Sequence, residues 1–336
     1  MKTSSSALVL SLLFLALSGG LGAQTQIQST PEDMIHGHFS LSFLKGQKGG
    51  AFSGGSFTDL DAGLLVSGHF TPQVQFRLEL RSRGEARFGL EEALLGLDLS
   101  KAANIQLGMY LVPFGSYNRQ NRPHEQKLAR PPLIVEAAYP ASWRDVGLLV
   151  SGQISFLNYA ACLGNGLGAD ENGAPAQQFA DNNAPKGLAE RLGINWGQNV
   201  GTAFSYARQV FDGAASRTVL LWAADGAWIT ENYELRGEYI RSECDRPADV
   251  GGAMKTQGWY VSLAFNYQTL WPIVSYQRLS LEPAAEGAAD KKSRWAVGLL
   301  WMLRPTVLFK AEYDWNREAG HEVKDDLLSV QMAISF

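Results

Sequence analysis

The amino-acid sequence predicts an all-β protein: a 16-stranded antiparallel transmembrane β-barrel with an inward-folded constriction loop. Three observations lead to this fold class. Apolar and polar residues alternate along many segments, which is the period of β-strands. Many of these segments run about 10 residues, enough to cross the hydrocarbon core of a membrane when a strand is tilted. The links between them mostly alternate short and long, as the turns and external loops of outer-membrane barrels do.

The alternation locates sixteen candidate strands. Within 73–83, for example, the even positions from Val74 to Leu80 are apolar and the odd positions are Gln, Arg and Glu. An even number of strands places both chain termini on the same side of the membrane. The candidate strands are 36–43, 57–70, 73–83, 86–99, 104–112, 145–153, 155–163, 187–196, 199–208, 217–229, 232–242, 257–266, 270–281, 293–302, 305–315 and 327–336.

Alternation alone does not distinguish a soluble sandwich, whose polar face looks outward, from a membrane barrel, whose polar face looks inward. The aromatic residues favour the barrel, because tryptophans at strand ends build interfacial girdles. The alternative for each of them is an ordinary core tryptophan. The tryptophans in or at the ends of candidate strands are Trp196, Trp222, Trp259, Trp271, Trp295, Trp301 and Trp315.

Composition narrows the class of protein. The net charge of −4 argues against a nucleic-acid-binding protein. Beyond residue 23 no apolar run of about 18 residues occurs, which excludes a helical membrane protein. The two cysteines, Cys162 and Cys244, lie four candidate strands apart, so we expect free thiols.

Residues 1–23 have the features of an export signal: Lys2, then the apolar run 7–17, then small residues up to Ala23. An N-terminal membrane anchor is the alternative for this segment. We therefore expect two regions, a signal peptide at 1–23 and one barrel domain at 24–336. The chain ends on Phe336 in strand register, which resembles the assembly signal of bacterial outer-membrane barrels and makes the barrel-assembly machinery an expected partner.

A family resemblance follows from the region around residues 104–191. Residues 107–115 read LGMYLVPFG, which resembles the G-x-F-x-x-P-F-G strand end of the phosphate-selective porin O and P family. The resemblance implies a sixteen-stranded, trimeric outer-membrane porin. The acidic chain departs from the anion-only path of that family. Further matching positions are Tyr139, Pro140, Arg144 to Gly147, Ser151, Gly152, Asn165, Gly166, Asp181 to Asn183, Lys186 and Arg191.

The link 113–144 is the predicted functional element, because it is too long for a plain connection. In porins such a loop folds into the lumen, and basic residues there select anions or phosphate. The alternative is a solvated external loop. Its acidic residues are Glu125 and Glu136, and Arg77 and Arg81 are second-tier pore-lining candidates. The basic residues of the link are Arg119, Arg122, Lys127, Arg130 and Arg144.

The other predicted lumen positions carry both signs of charge. They are Glu79, Glu234, Arg236, Glu238, Lys310, Glu312 and Asp314. His36 and His38 share a strand face but have no evident third ligand, so we predict no metal site, and we predict no cofactor. No arrangement of catalytic residues stands out.

We therefore expect a non-enzymatic outer-membrane porin for passive diffusion of small hydrophilic solutes, with a mild preference for anions or phosphate. Its expected surroundings are the outer-membrane bilayer, small anions or other small solutes, and two further copies of the chain in a homotrimer; no nucleic acid is expected. Two alternatives stay open at this point. One is a structural barrel that sheathes a periplasmic partner such as a cytochrome, and the other is an outer-membrane barrel hydrolase.

Overall fold

The computed structural model describes residues 35–84, 87–171, 173–181, 185–213, 216–247, 251–282, 291–320 and 323–336. The predicted signal peptide at 1–23 lies outside the described residues. The strands are β1 (Ile35–Gly46), β2 (Ser56–Thr71), β3 (Val74–Arg83), β4 (Gly89–Ser100), β5 (Ala103–Leu111), β6 (Arg144–Ile154), β7 (Leu157–Gly164), β8 (Leu167–Ala169), β9 (Pro175–Gln177), β10 (Gly187–Trp196), β11 (Val200–Asp212), β12 (Arg217–Ile229), β13 (Tyr233–Asp245), β14 (Ala253–Phe265), β15 (Leu270–Glu282), β16 (Lys291–Arg304), β17 (Val307–Glu318) and β18 (Leu327–Ser335).

Sixteen of these strands form one closed antiparallel barrel, which confirms the predicted fold class. Each strand pairs with its neighbours in the chain, and β1 pairs with β18 to close the wall. The two remaining strands, β8 and β9, form a small hairpin in the link between β7 and β10. In the described ranges the helical pieces are a 3-10 turn at Asn118–Gln120 and one short helix, α1 (Leu133–Ala138). Among the described residues no helix is long and apolar enough to cross a membrane.

The barrel has its apolar face outside and its polar face inside. On β3, Leu78 and Leu80 are 41% and 37% exposed, whereas Glu79 and Arg81 between and beside them are 1% and 5% exposed. The same alternation places Glu238, Glu312 and many other polar side chains in the interior. A soluble sandwich would have the opposite arrangement, so the exposed apolar wall is the surface of a barrel that spans a membrane.

The two ends of the barrel differ. One end carries turns of two to four residues, such as 72–73 and 266–269, together with both ends of the described chain. The other end carries the longer links, including 112–143 between β5 and β6, and also the four-residue link 213–216. We call these the short-turn end and the long-loop end. Along the chain, short and long connections thus mostly alternate, as predicted.

Aromatic side chains face outward near both ends of the wall. Trp196 and Trp301 are exposed at the short-turn end, and Trp295 and Trp315 are exposed toward the long-loop end. This is the arrangement expected of interfacial girdles. Trp271 is an exception to the prediction, because it lies on the inner face of β15 with the Lys127 ammonium 4.5 Å from its ring.

Candidate functional site: the lumen loop

Residues 112–143, which connect β5 to β6, form the candidate site and are called the lumen loop below. Its two ends are held together by Asn118, a buried residue whose Nδ2 donates to the carbonyls of Val112 at 2.9 Å and Trp143 at 3.0 Å. The Asn118 Oδ1 accepts a hydrogen bond from the Trp143 amide at 2.8 Å. Phe114 packs on Trp143 and on Tyr139, with ring centroids 5.6 Å and 5.7 Å apart. The loop therefore has a rigid neck.

Gly115, the last residue of the motif at 107–115, turns the loop into the barrel. Its φ is 65°, a left-handed conformation that suits glycine. A Cβ at this position would lie 2.1 Å from Oε1 of Glu238, so the Glu238 carboxylate would have to move from its place beside Ser116. The glycine thus allows the backbone to approach the wall at β13.

The lumen loop crosses to the far wall of the barrel. Glu238 on β13 accepts hydrogen bonds from the Ser116 hydroxyl at 2.9 Å and the Ser116 amide at 3.1 Å. Gln277 on β15 accepts from the Leu133 amide at 2.9 Å, at the start of α1. Because these wall residues are buried interior positions, the loop lies inside the lumen, as predicted.

Two buried charges on β17 hold the middle of the loop. The Lys310 ammonium donates to the carbonyls of Pro123 at 2.6 Å and Leu128 at 3.3 Å. The Glu312 carboxylate accepts from the amides of Ala129 at 2.5 Å and Arg130 at 3.1 Å. Charge-assisted hydrogen bonds of this kind are about twice as strong as neutral ones. The contact with β17 is therefore a second anchor, distant from the neck.

The loop also binds the wall at β3. Arg122 donates through Nε to Glu79 at 3.0 Å, pairs through a second nitrogen with the same carboxylate, and lies 3.2 Å from Glu92. Arg81 forms a pair with Asp61 at 2.6 Å and donates to the Asn121 side chain at 2.7 Å. Arg77, Glu79 and Arg81 occupy alternate positions of β3 on its inner face, and the role of the two arginines in lining the pore stays a prediction.

Most of the predicted basic residues are neutralised. Arg122 and Arg81 have the carboxylate partners described above. Three more basic residues each have a carboxylate close by: Arg77 lies 2.6 Å from Glu92, Lys127 lies 2.9 Å from Glu234, and Arg130 lies 3.1 Å from Glu136. The predicted excess of positive charge therefore does not act as a bare basic ring. Among the described residues, Arg119 is the one of the seven predicted basic residues without a carboxylate oxygen within 4.0 Å.

Arg144 does not belong to the loop. It is the first residue of β6, where it pairs with Glu91 at 2.8 Å and lies 5.1 Å from the ring of Phe179. These contacts place it at the long-loop rim of the barrel. The sequence placed Arg144 in the link 113–144, but β6 begins one residue earlier than the alternation indicated, so Arg144 is part of that strand.

Cavities remain on both sides of the lumen loop. One, of about 500 Å³, lies between the loop and the wall formed by β7 and β10 to β13. Its charged lining consists of Arg119, Arg191, Arg236, Glu125 and Asp225. A second, of about 450 Å³, is lined by β1 to β3, β17, β18 and the other side of the loop. The lumen thus combines polar space with charges of both signs, as the sequence indicated.

Several interior residues that hold the site were not predicted. Glu91 and Glu92 are both buried, although adjacent residues of a regular strand face opposite sides. A register shift between β3 and β4 at Glu79 and Leu80 turns both carboxylates inward. Arg191 pairs with Asp225 at 2.8 Å. In the sequence it was indicated only as one of the positions that resemble the porin O and P family.

The two cysteines and two of the histidines lie inside the structure. Cys162 and Cys244 are both free and buried, which confirms the expected free thiols. His38 lies inside the barrel with its Nε2 3.0 Å from Oδ1 of Asp61. Its ring centroid is 5.4 Å from that of His124 in the lumen loop. Burial, with help from His38 and neighbouring cations, lowers the pKa of His124 to about 4.

Comparison with known proteins supports the fold. No family model matches the chain. An uncharacterised protein of Aquifex aeolicus is 22% identical over 319 residues, which cover 81% of this chain and 73% of that protein. OmpF of Salmonella typhi, in a complex with daunomycin, superposes with a TM-score of 0.67 at 12% identity and covers 90% of this chain and 97% of its own.

Two other solved structures are similar to the same extent. The anion-selective porin of Comamonas acidovorans has a TM-score of 0.66 at 12% identity, and covers 90% of this chain and 98% of its own. The outer-membrane channel DcaP of Acinetobacter baumannii has a TM-score of 0.65 at 9% identity, and covers 90% and 96%. At such identities the likeness establishes a porin-like barrel fold. Membership of the phosphate-selective porin O and P family stays a prediction.

Proposed function

We propose that the protein is an outer-membrane porin through which small hydrophilic solutes diffuse passively. The observation that carries this proposal is the lumen loop, which is tied to β3, β13 and β17 and has cavities of about 450 Å³ and 500 Å³ beside it. Sixteen strands enclose enough space for an aqueous channel, which an inward loop then narrows. The apolar outer wall supports a membrane location, and the fold shared with known porins agrees.

The proposal includes an orientation and an assembly. Export through a signal peptide at 1–23 would place the short-turn end in the periplasm and the long-loop end outside the cell. Phe336 lies at the short-turn end with 69% of its surface exposed, where the assembly machinery could reach it. The homotrimer is proposed from the family resemblance alone.

A weak preference for anions, phosphate among them, is the proposed selectivity. Arg119 lines the cavity of about 500 Å³ beside Arg191 and Arg236, and three arginines face two carboxylates there. One charge acting over about 7 Å in water is worth roughly 0.6 kcal/mol. A tenfold bias requires about 1.4 kcal/mol. Since the other predicted basic residues are paired, a single unpaired arginine supports a bias of a few-fold and not strict phosphate specificity.

Liposome swelling tests the diffusion proposal. Purified protein in phosphatidylcholine vesicles is expected to admit small sugars at rates that fall steeply with solute size, because passage is limited by the lumen loop. Uptake equal to that of empty vesicles, from protein shown to be folded, would refute a diffusion channel. The hydrolase alternative is tested separately, by measuring whether the same purified protein hydrolyses phospholipid and peptide substrates.

The reversal potential under a KCl gradient tests the selectivity. We expect a mildly anion-selective value that moves toward zero in the Arg119→Gln variant. Arg130→Gln is the matched control, because it removes the same charge from the same loop but from a residue already paired with Glu136. A cation-selective wild type, or equal shifts in both variants, would contradict the assigned role of Arg119.

The sheath alternative has less support. A periplasmic partner inserted along the barrel axis would have to displace a loop that is held at its neck, at β13, β15 and β17. Co-purification of a cytochrome with the barrel from native membranes would nevertheless favour the sheath over the porin.

A further inference from the structure

Basic residues are not distributed evenly over the outer wall of the barrel. The outward positions of β2 to β5 carry no lysine or arginine in the part of the chain that the structure describes. On β15, β16 and β17, by contrast, Arg278, Lys291 and Arg317 alternate in register with the exposed apolar positions and are themselves exposed. We call these three residues the outer basic patch.

Strand register brings the patch together. Arg278 pairs across the ladder with Ser293, and Ser293 pairs in turn with Arg317. Neighbouring strands lie about 4.8 Å apart, so the three residues form one row about 10 Å long across the wall. Lys291 lies two residues beyond Ser293 on the same face and pairs with Ser280. Three cations and two serine hydroxyls thus share one small area.

The patch lies next to the aromatic girdle, on its long-loop side. Tyr276 and Trp295 are in register with each other two residues toward the membrane from Arg278 and Ser293, and their ring centroids are 4.7 Å apart. Trp315 is in register with Trp295. Tryptophan and tyrosine occupy the level of lipid head groups. A cation just beyond them on the outer wall therefore faces the head-group layer.

The three cations of the patch lie at exposed positions of the wall. Arg317 lies 3.8 Å from Asp326 and donates to the Asn316 carbonyl at 2.7 Å, but its side chain is 61% exposed. On the described part of β15, Glu282 is an exposed carboxylate on the same face as Arg278, and its register partner is Lys255. Among the described residues, Arg278 and Lys291 have no carboxylate within 4.0 Å.

We propose that the outer basic patch binds the phosphate groups of an anionic lipid of the external leaflet, with its acyl chains on the aromatic and aliphatic wall below. Guanidinium and ammonium groups are the usual partners of phosphate, and arginine can bind it in a bidentate manner. Anionic head groups attract basic residues at a membrane surface. The proposal rests on the orientation given under the proposed function, since it requires the long-loop end to face outward.

Native mass spectrometry of the detergent-purified full chain with added lipid A tests the proposal. The wild type is expected to retain lipid A, and dephosphorylated lipid A is expected to bind much more weakly. The variant Arg278→Gln/Lys291→Gln/Arg317→Gln should lose about a hundredfold in affinity, because each basic residue near an anionic surface contributes a factor of about five. Inorganic phosphate should not compete, since the patch recognises phosphate together with the lipid.

The matched control is Lys48→Gln/Arg246→Gln/Lys324→Gln, which removes three positive charges from links at the same end of the barrel. It should bind lipid A like the wild type. Equal binding by the patch variant, or equal loss in the control, would overturn the proposal. Bilayer conductance of the patch variant separates the two proposals. If the variant conducts normally but does not bind lipid A, the result bears on the patch alone. If the variant is folded but does not conduct, the result bears on the porin proposal.

Discussion

Arg122 in the lumen loop forms a two-point ion pair with Glu79 on β3, and their side chains are 9% and 1% exposed. Arg122 also reaches Glu92 at 3.2 Å and Glu125 at 3.4 Å. One guanidinium therefore neutralises a cluster of carboxylates that the closed barrel forces together. Removal of one partner from a buried pair costs more than the pair contributes, because the other charge is left without compensation.

A double-mutant cycle tests this pair. Arg122→Gln should lower the free energy of unfolding by about 3 kcal/mol. Glu79→Gln should cost less, since Arg122 keeps Glu92 and Glu125. The double variant should be more stable than the sum of the two losses implies. Urea titration in lipid vesicles measures all three, and strictly additive losses would show that the two side chains are not coupled.

Lys310 is expected to control the mobility of the loop. Lys310→Met keeps the apolar stem but removes the hydrogen bonds to the carbonyls of Pro123 and Leu128 and to Gln331. Amides of the segment 123–130 should then exchange faster with solvent, which hydrogen–deuterium exchange measures. Lys324→Met, at an exposed position of a link, is the control. Unchanged exchange in Lys310→Met would mean that β17 does not anchor the loop.

Gly115 is expected to tolerate a side chain poorly. Gly115→Ala would place a Cβ 2.1 Å from Oε1 of Glu238 at a residue whose φ is 65°. We expect a marked loss of folded protein on refolding into detergent micelles. Gly54→Ala, at a glycine with no neighbouring atom within 4 Å of the added Cβ, should refold normally. Normal refolding of both variants would contradict the close approach at β13.

His124 should make the folded state sensitive to acid. Burial lowers its pKa from 6.5 to about 4, so the folded protein holds this imidazole neutral while the unfolded chain protonates it. The unfolded state then binds more protons, and stability falls as the pH falls through this range. His124→Gln should lose less stability than the wild type between these two pH values. An identical pH profile of the free energy of unfolding would exclude His124 as a contributor.

The sequence predicted the wall of the barrel closely, because alternation is a local property. All sixteen candidate strands occur. The differences are at strand ends, such as β11, which continues to Asp212 where the alternation indicated 208. There Val210 and Phe211 are buried, so the end of the alternating pattern does not mark the end of the strand. Period-two reasoning also missed the register shift that turns Glu91 and Glu92 inward.

The sequence predicted the position of the lumen loop, but not which of its charged residues form ion pairs. Its basic residues could be read from the chain, but their partners lie on strands far away in sequence, such as Glu79 for Arg122 and Glu234 for Lys127. Which carboxylate meets which cation depends on the path of the loop across the lumen. That path is fixed by the neck at Asn118 and the anchors at Glu238 and Lys310. The alternation placed Glu238 and Lys310 in the lumen, but it does not indicate which atoms of the loop they bind.

The most direct test of the porin proposal is single-channel conductance after chemical modification of an introduced thiol. Arg119→Cys places a reactive group in the cavity beside the lumen loop, and the native thiols at Cys162 and Cys244 are buried. A bulky charged methanethiosulfonate reagent should reduce the conductance of Arg119→Cys and leave the wild type and Lys324→Cys unchanged. Conductance that persists unaltered after complete modification of the introduced thiol would contradict a solute path past the lumen loop.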